Sequence, residues 1–402
     1  MLGKTNITTL SDGVVVTEIE DFNWIRMQSG INGNFVKAIY ENGYLAAITA
    51  NGMVAYTTDG EAWQVSNLKY TDSKLEDIAW DGSQFLLVGS YKDTVERTNG
   101  TSGEYDIGFI SMTADFMSYE YFSADTQGIN SVDSYDYDSK YVAVYPVNGK
   151  RVVLAINMWK GNSASTHSTT LNMLVDDSDS LLKKNDCIVT SNFMGNLCTG
   201  KNSQGILVTS TKGNVAYSYM INGNTLQKTE KSLSGGTGAT GLLPVFECKD
   251  ELYYISNLST FSYRFVKVLL SGEEMMMSTG INYGFVDGVY FNKCKIFINN
   301  HEMLILKKEE SIADKTLEDL IEIAPENTMT CITKAFGQLF IFGNQGLVLR
   351  SSTSGSSEEA LLLQTISAKK ALLDANTYTD QRYELLEAKI AALEAEVKGE
   401  AE

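Results

Sequence analysis

The sequence predicts an all-β chain, a β-propeller of seven four-stranded blades, followed by a C-terminal α-helical coiled-coil tail. Three observations predict it. A unit of short apolar strands joined by Gly-containing turns recurs along the chain, its last copy lacks a fourth strand that a lone strand-like segment before the first copy can supply, and the composition changes abruptly after a Ser/Gly linker at residues 351–357. Self-similarity at such a period marks a repeat architecture whose units bury their faces only against one another.

The clearest unit runs from residues 36–40 through Glu41-Asn42-Gly43 to residues 44–48, then through Asn51-Gly52 to residues 53–56. Asn-Gly is the two-residue hairpin signal, because both central positions of a type I′ turn need φ > 0, which these residues adopt at least steric cost. Adjacent strands of the unit are therefore antiparallel neighbours. Tyr44, Phe85, Tyr141, Ile206, Tyr253, Ile296 and Leu339 are read as opening the second strand of seven such units, at spacings of 41, 56, 65, 47, 43 and 43 residues. A four-stranded blade takes ~40–50 residues, so the two long intervals imply loop insertions in the second and third units.

The last unit offers strands around Cys331, Leu339 and Val348 and then turns to Ser and Gly with no fourth strand. At the other end, Phe22-Asn23-Trp24-Ile25-Arg26-Met27 is strand-like with no blade in front of it. Joining the two closes the ring and removes the exposed edges that invite aggregation. The resulting organisation is an N-terminal arm at 1–21, a propeller at 22–356 closed by a strand within 22–29, and a C-terminal helix at 357–402. Two separate β-domains are the alternative.

In the tail, Ala, Leu, Glu and Lys replace Gly and aromatics. Written as heptads, Tyr383, Ile390 and Val397 take a positions and Leu386 and Leu393 take d, flanked by charged residues, which is the seam of an oligomerising coiled coil. Upstream the same register places Lys369 and Asn376 at a, so that part of the seam is polar, and a lone amphipathic helix docked on the propeller is the alternative.

The first unit closes with Thr57-Thr58-Asp59-Gly60-Glu61-Ala62-Trp63. It resembles the Asp-box turn of sialidase-like propellers, one residue shorter than the usual box. The resemblance implies a structural clasp in which Thr57, Asp59 and Gly60 tie the turn between a blade's third and fourth strands and Trp63 anchors the fourth. The segment from Ala371 through Ala375-Asn376-Thr377-Tyr378-Thr379-Asp380 to Ala395 resembles the Ala-rich helices of phage fibre and appendage proteins, which usually assemble as trimers. β-Branched a with Leu at d leans instead toward two strands, while Tyr383 is bulky for a narrow dimer seam.

Composition excludes several functions. With 32 basic against 50 acidic residues, a net charge of −18, the chain lacks the cationic surface that displaces counterions from nucleic acid. No window approaches the ~20 apolar residues of a membrane span, and no secretory leader opens the chain, which predicts synthesis in the host cytoplasm without membrane insertion. Five cysteines, widely separated, suggest neither a disulfide framework nor a zinc site, and His167 and His301 have no metal-ligand spacing. No metal or other cofactor is expected.

Sialidase chemistry, as that family practises it, needs an arginine triad, a Tyr/Glu nucleophile pair and an acidic general acid. Only six arginines are present. Arg151, Arg264 and Arg350 mimic the triad by order alone, and no paired Tyr and Glu is marked. What remains is recognition: Tyr119, Tyr121, Tyr135, Tyr137 and Trp159, in the two enlarged units, are candidates for stacking on sugar rings, with packing between blades as the alternative role.

The resemblances and the missing chemistry together predict a non-enzymatic virion protein, a tail or head fibre component on the virion surface. Its expected partners are itself as a homotrimer, other virion proteins and a host-surface glycan. The rival reading is a glycoside hydrolase-like or carbohydrate-binding propeller of a bacterial surface protein.

Overall fold

In a computed structural model the described residues are 5–9, 15–19 and 24–351, less 71, 97–101, 124–134, 148, 162–167, 177–182, 192–196, 204, 213–214, 223–224, 233–244, 260–261, 270–273, 282–283, 308–309 and 325. The chain divides into two compact units, one of Met1–Asp21 with Thr353–Glu402 and one of Phe22–Ser352. In the first, β1 (Thr5–Thr9) and β2 (Val15–Ile19) form an antiparallel hairpin. The helix expected at 357–402, with Tyr383, Leu386, Ile390, Leu393 and Val397, lies outside the described residues.

The second unit is a seven-bladed propeller of four-stranded antiparallel sheets. The first blade comprises β4 (Phe35–Glu41), β5 (Tyr44–Thr49), β6 (Met53–Thr57) and β7 (Gln64–Asn67). The second is β8 (Lys74–Trp80), β9 (Phe85–Glu96), β10 (Ser102–Thr113) and β11 (Glu120–Ser123), and the third β12 (Tyr135–Val147), β13 (Lys150–Gly161), β14 (Ser168–Asp176) and β15 (Lys183–Ser191). The fourth holds β16 (Leu197–Lys201), β17 (Gly205–Lys212), β18 (Val215–Asn222) and β19 (Lys228–Ser232). The fifth has β20 (Val245–Cys248), β21 (Glu251–Ser259), β22 (Ser262–Val268) and β23 (Glu274–Ile281), and the sixth β24 (Asp287–Phe291), β25 (Cys294–Ile298), β26 (Glu302–Leu306) and β27 (Ile321–Glu322). In the seventh, β28 (Met329–Ala335), β29 (Gln338–Gly343) and β30 (Val348–Ser351) are completed by β3 (Trp24–Arg26), whose Trp24 pairs with Ser351 and Arg26 with Leu349.

Both faces of every blade are covered by neighbours, so the second strands read as continuous apolar runs rather than alternating ones. In β5, Ala46 and Ile48 pack toward the second blade, while Leu45 and Ala47 pack toward the seventh. In β9, Phe85 and Leu87 join the first-blade cluster, and Leu86 and Val88 the cluster shared with the third. Each of the seven junctions has its own apolar cluster among the described residues. Fully burying one Leu or Ile contributes roughly 1.5–3 kcal/mol, so the ring is held by repetition of one modest contact.

Tight turns join first to second strands. Asn42 and Gly43 have φ of 49° and 79°, the type I′ pattern, and the same positive pair recurs at Lys249-Asp250, Asn292-Lys293 and Phe336-Gly337. Two details depart from the sequence reading. Tyr141 lies on the first strand of the third blade, not the second, because the hairpin signal is Asn148-Gly149, with Gly149 at φ 74°. The extra residues of the second and third units also go largely into longer strands: β9, β10 and β13 have 12 residues each and β12 has 13.

Candidate functional site

The turns between third and fourth strands are built from short side-chain clasps. Thr57 Oγ1 donates to Asp59 Oδ1 at 2.9 Å and accepts from the Gly60 N–H at 3.0 Å, while Asp59 Oδ1 accepts from Glu61 and Ala62 N–H at 2.7 and 2.8 Å. Those backbone donors, and Thr57 after them, hold the Asp59 carboxyl below the usual range. Trp63 packs edge-on against Phe340 and Phe342 of the seventh blade.

A second clasp escaped the sequence reading. In Thr113-Ala114-Asp115-Phe116-Met117-Ser118, Thr113 Oγ1 accepts from Phe116 N–H at 2.8 Å, and Asp115 Oδ1 accepts from Met117 and Ser118 N–H at 2.9 and 3.4 Å. The signal was Thr-x-Asp at the matching place in the second blade; Phe in place of Gly concealed it. Tyr119 stands four residues after Asp115, as Trp63 does after Asp59, and its hydroxyl donates to Ser66 Oγ of the first blade at 2.9 Å. Tyr121 accepts from Lys69 N–H at 2.9 Å and packs on Tyr70, which stacks on Tyr91 at 3.8 Å. Both tyrosines are partly buried and spend their hydroxyls bracing the first two blades.

The other three candidates cluster on the ribbon β12–β13. Tyr137 is the register partner of Trp159 and Tyr135 that of Gly161. Lys140 pairs with Asp106 of the neighbouring long strand β10 at 2.9 Å. Gly108 lets the two blades approach closely, since a Cβ there would lie 2.5 Å from the Tyr141 ring.

The antiparallel topology gives the ring two distinct faces. First-to-second and third-to-fourth turns lie together, as where Phe336 covers Gly60, and Ser351 ends a third strand on that face. The far ends of β12 and β13 reach the opposite face.

The innermost strands line a central channel. Asp77 Oδ1 accepts from Ile78 N–H at 2.9 Å and is ion-paired with Lys37, and its Oδ2 accepts from Val144 N–H of the third blade at 2.8 Å. Asp287 repeats this in the sixth blade: Oδ1 takes Gly288 N–H at 2.8 Å and Oδ2 takes Ile332 N–H of the seventh blade at 2.9 Å. Val144 and Ile332 each lie shortly past a β-bulge, between Tyr141 and Ala143 and between Met329 and Cys331. Lys37 also sits 5.9 Å from the Tyr145 ring centroid, the Tyr145 hydroxyl donates to Thr199 Oγ1 at 2.8 Å, and Lys201 donates to the Pro146 carbonyl at 2.7 Å.

The Lys37 side chain is 39% accessible and that of Asp77 3%. Burial opposes its charge, but Asp77 first, then Tyr145, hold its pKa above the ordinary lysine range. Asp287 is pushed up to about 7 by burial, against the pull of the Ile332 and Gly288 N–H groups. Burial, and Lys37 after it, lower Lys201.

Between the fifth and sixth blades, Glu251 is ion-paired with Lys267 and, at 2.6 Å, with Lys295, and accepts from the Tyr253 hydroxyl. Despite burial, the two lysines hold its carboxyl down to about 2. Burial and Glu251 push the Tyr253 phenol well above its usual range, and Tyr253 is 1% exposed, so this Tyr–Glu pair is packed within the fold. Arg151 pairs with Asp81 at 3.2 Å and Arg350 with Glu61, while Arg264 lies on β22; the three stand on the third, seventh and fifth blades. Among the described residues Cys198, Cys248, Cys294 and Cys331 form no disulfide, and burial pushes Cys248 up to about 12.

No protein-family model matches this chain, and no curated protein does. Among solved structures it is similar to a streptogramin B lyase, with TM-score 0.54, 10% identity and coverage of 82% of this chain and 97% of that one. A virginiamycin B lyase from Staphylococcus aureus gives 0.52 and 8% over 83% and 100%. The Pan2 WD40 domain of Neurospora crassa gives 0.50 and 10% over 84% and 98%. At these identities the likeness carries the fold alone, a propeller shared by enzymes and binding domains.

Proposed function

We propose that this chain is a non-enzymatic virion structural and binding protein, a tail or head fibre component. Its propeller contacts a host-surface glycan or a neighbouring virion protein. One observation carries the reading. The chain enters and leaves the propeller side by side, Trp24 paired with Ser351, on the turn face, while the long ribbon bearing Tyr135, Tyr137 and Trp159 reaches the opposite face. That polarity suits a module held at one face and presenting the other.

The clasp at Thr57–Asp59 with Trp63 supports kinship with Asp-box propellers, where it is structural. A homotrimeric tail through Tyr383, Leu386, Ile390, Leu393 and Val397 would turn weak single contacts into avidity. The paired arginines and the buried Tyr253 favour binding over glycoside hydrolysis.

The test assays the purified full chain on a glycan array and against a panel of glycosides and sialosides. Binding without turnover is the expected result. Robust turnover would replace this reading with that of a surface glycosidase. A blank array with copurification in virions would make the protein a structural spacer.

A further inference from the structure

Asp77 and Asp287 are one residue of the repeat seen twice. Each stands on an innermost strand, gives one oxygen to the next residue's N–H and spans with the other to the following blade. They differ in one respect. Asp77 carries the Lys37 ammonium, whereas among the described residues no lysine or arginine makes an ion pair with Asp287. Lys37 acts on Asp287 only across the channel, and the acidic Glu247 acts on it in the opposite sense. Asp77 is thus offset by Lys37 directly, while Asp287 has no ion-pair partner among the described residues. Asp287 is only partly buried, so it too meets the channel space.

We propose that Asp287 is the anionic half of a binding site in the central channel for an alkylammonium ion, which would stand at Asp287 as Lys37 stands at Asp77. Within the molecule, the Lys37–Asp77 pair shows that this carboxylate position accepts an ammonium while keeping both backbone hydrogen bonds. Burial lifts this carboxyl to about 7 against its two backbone N–H bonds, and a bound cation opposes that lift. An ammonium suits the site better than a sodium ion. It donates directed hydrogen bonds to an oxygen already committed to one N–H.

The test is a carbon-13 NMR titration of the Asp287 carboxyl in the full chain, in n-butylammonium chloride and in sodium chloride at equal concentration. Binding lowers the Asp287 pKa by about one unit or more in the butylammonium salt, a tenfold weaker hold on the proton, and leaves it unmoved in sodium. Calorimetry with n-butylammonium then expects one equivalent per chain, none for Asp287→Asn, and two for Lys37→Met, which frees Asp77. Equal pKa values in the two salts overturn the proposal, as does undiminished binding by Asp287→Asn. A single equivalent bound by Lys37→Met overturns the equivalence on which it rests. Should Asp287→Asn fail to fold, the titration of the unaltered chain decides alone.

Discussion

Phe116 and Gly60 occupy the same place in the third-to-fourth-strand turns of neighbouring blades, both with positive φ, at 62° and 77°. They solve one packing problem in opposite ways. A Cβ on Gly60 would lie 3.1 Å from Phe336 and Phe340, so the seventh blade fills that space. In the second blade Phe116 supplies its own ring, stacked on Tyr56 with centroids 5.1 Å apart and tilted against Phe85 at 4.5 Å.

Phe116→Gly therefore separates strain from packing. Relief of the left-handed backbone returns roughly 1 kcal/mol, while deleting a buried ring costs about 3–5 kcal/mol. The net expectation is a loss of ~2–4 kcal/mol, read from the denaturant midpoint at unchanged slope. A neutral or stabilising outcome would show that the ring contributes little to the first two blades.

Much of the fold is legible in the sequence because its signals are local. Asn42-Gly43 and Asn148-Gly149 mark hairpins on steric grounds, and strands as apolar as Leu45-Ala46-Ala47-Ile48 announce sheets buried on both faces. That same two-sided burial erases the alternation that would distinguish first from second strands, which is why Tyr141 was placed one strand late. The channel was not legible at all. Lys37, Asp77 and Asp287 are separated by 40 and 210 positions, and nothing near any of them marks an innermost strand position. Among the aromatic candidates, that Tyr119 and Tyr121 brace two blades is a property of the ring and not of the local sequence.

Asp287 should leave a signature in the pH dependence of stability. Its native pKa, about 7, lies above the ~3.9 of an unfolded aspartate, so the native state binds its proton more tightly. Folding is therefore favoured by this residue below pH ~4, and that advantage is lost as pH rises toward 7, at up to ~1.36 kcal/mol per unit and less where channel water screens the charge. Denaturant titrations of the unaltered chain and Asp287→Asn at several pH values give the difference directly. The variant should gain relative stability between pH ~4 and ~7 and none above. A difference independent of pH would contradict the assignment.

The ribbon aromatics carry the recognition reading. Exchanging Tyr137 and Trp159 for Ser, singly and together, is expected to leave thermal stability nearly unchanged while reducing glycan or virion-partner binding. Losing a stacking aromatic commonly costs 1–2 kcal/mol at an interface, about a tenfold loss of affinity for each residue. Tyr119→Phe serves as the contrast, since its hydroxyl holds Ser66: it should move stability by about 1 kcal/mol and binding not at all. If binding survives loss of both Tyr137 and Trp159, the ribbon is not the contact surface.

The tail is expected to set the oligomeric state, and the state to be a trimer. The seam of Tyr383, Leu386, Ile390, Leu393 and Val397 covers barely two hydrophobic heptads, and an isolated helix of that length is marginal in water. On that reading association supplies the helix's stability, which would make helix formation and oligomerisation one event. The propeller needs no such help, because its ring is closed within one chain by Trp24–Arg26 on β30, leaving no blade to be completed by a partner. Deleting residues 358–402 should accordingly yield a folded monomer with the same β-type circular dichroism. Multi-angle light scattering on the full chain and the truncation decides between the possibilities. A dimer in the full chain would mean that the Ile/Val and Leu packing preference outweighs the bulk of Tyr383; a truncated chain that still trimerises would place the interface on the propeller instead.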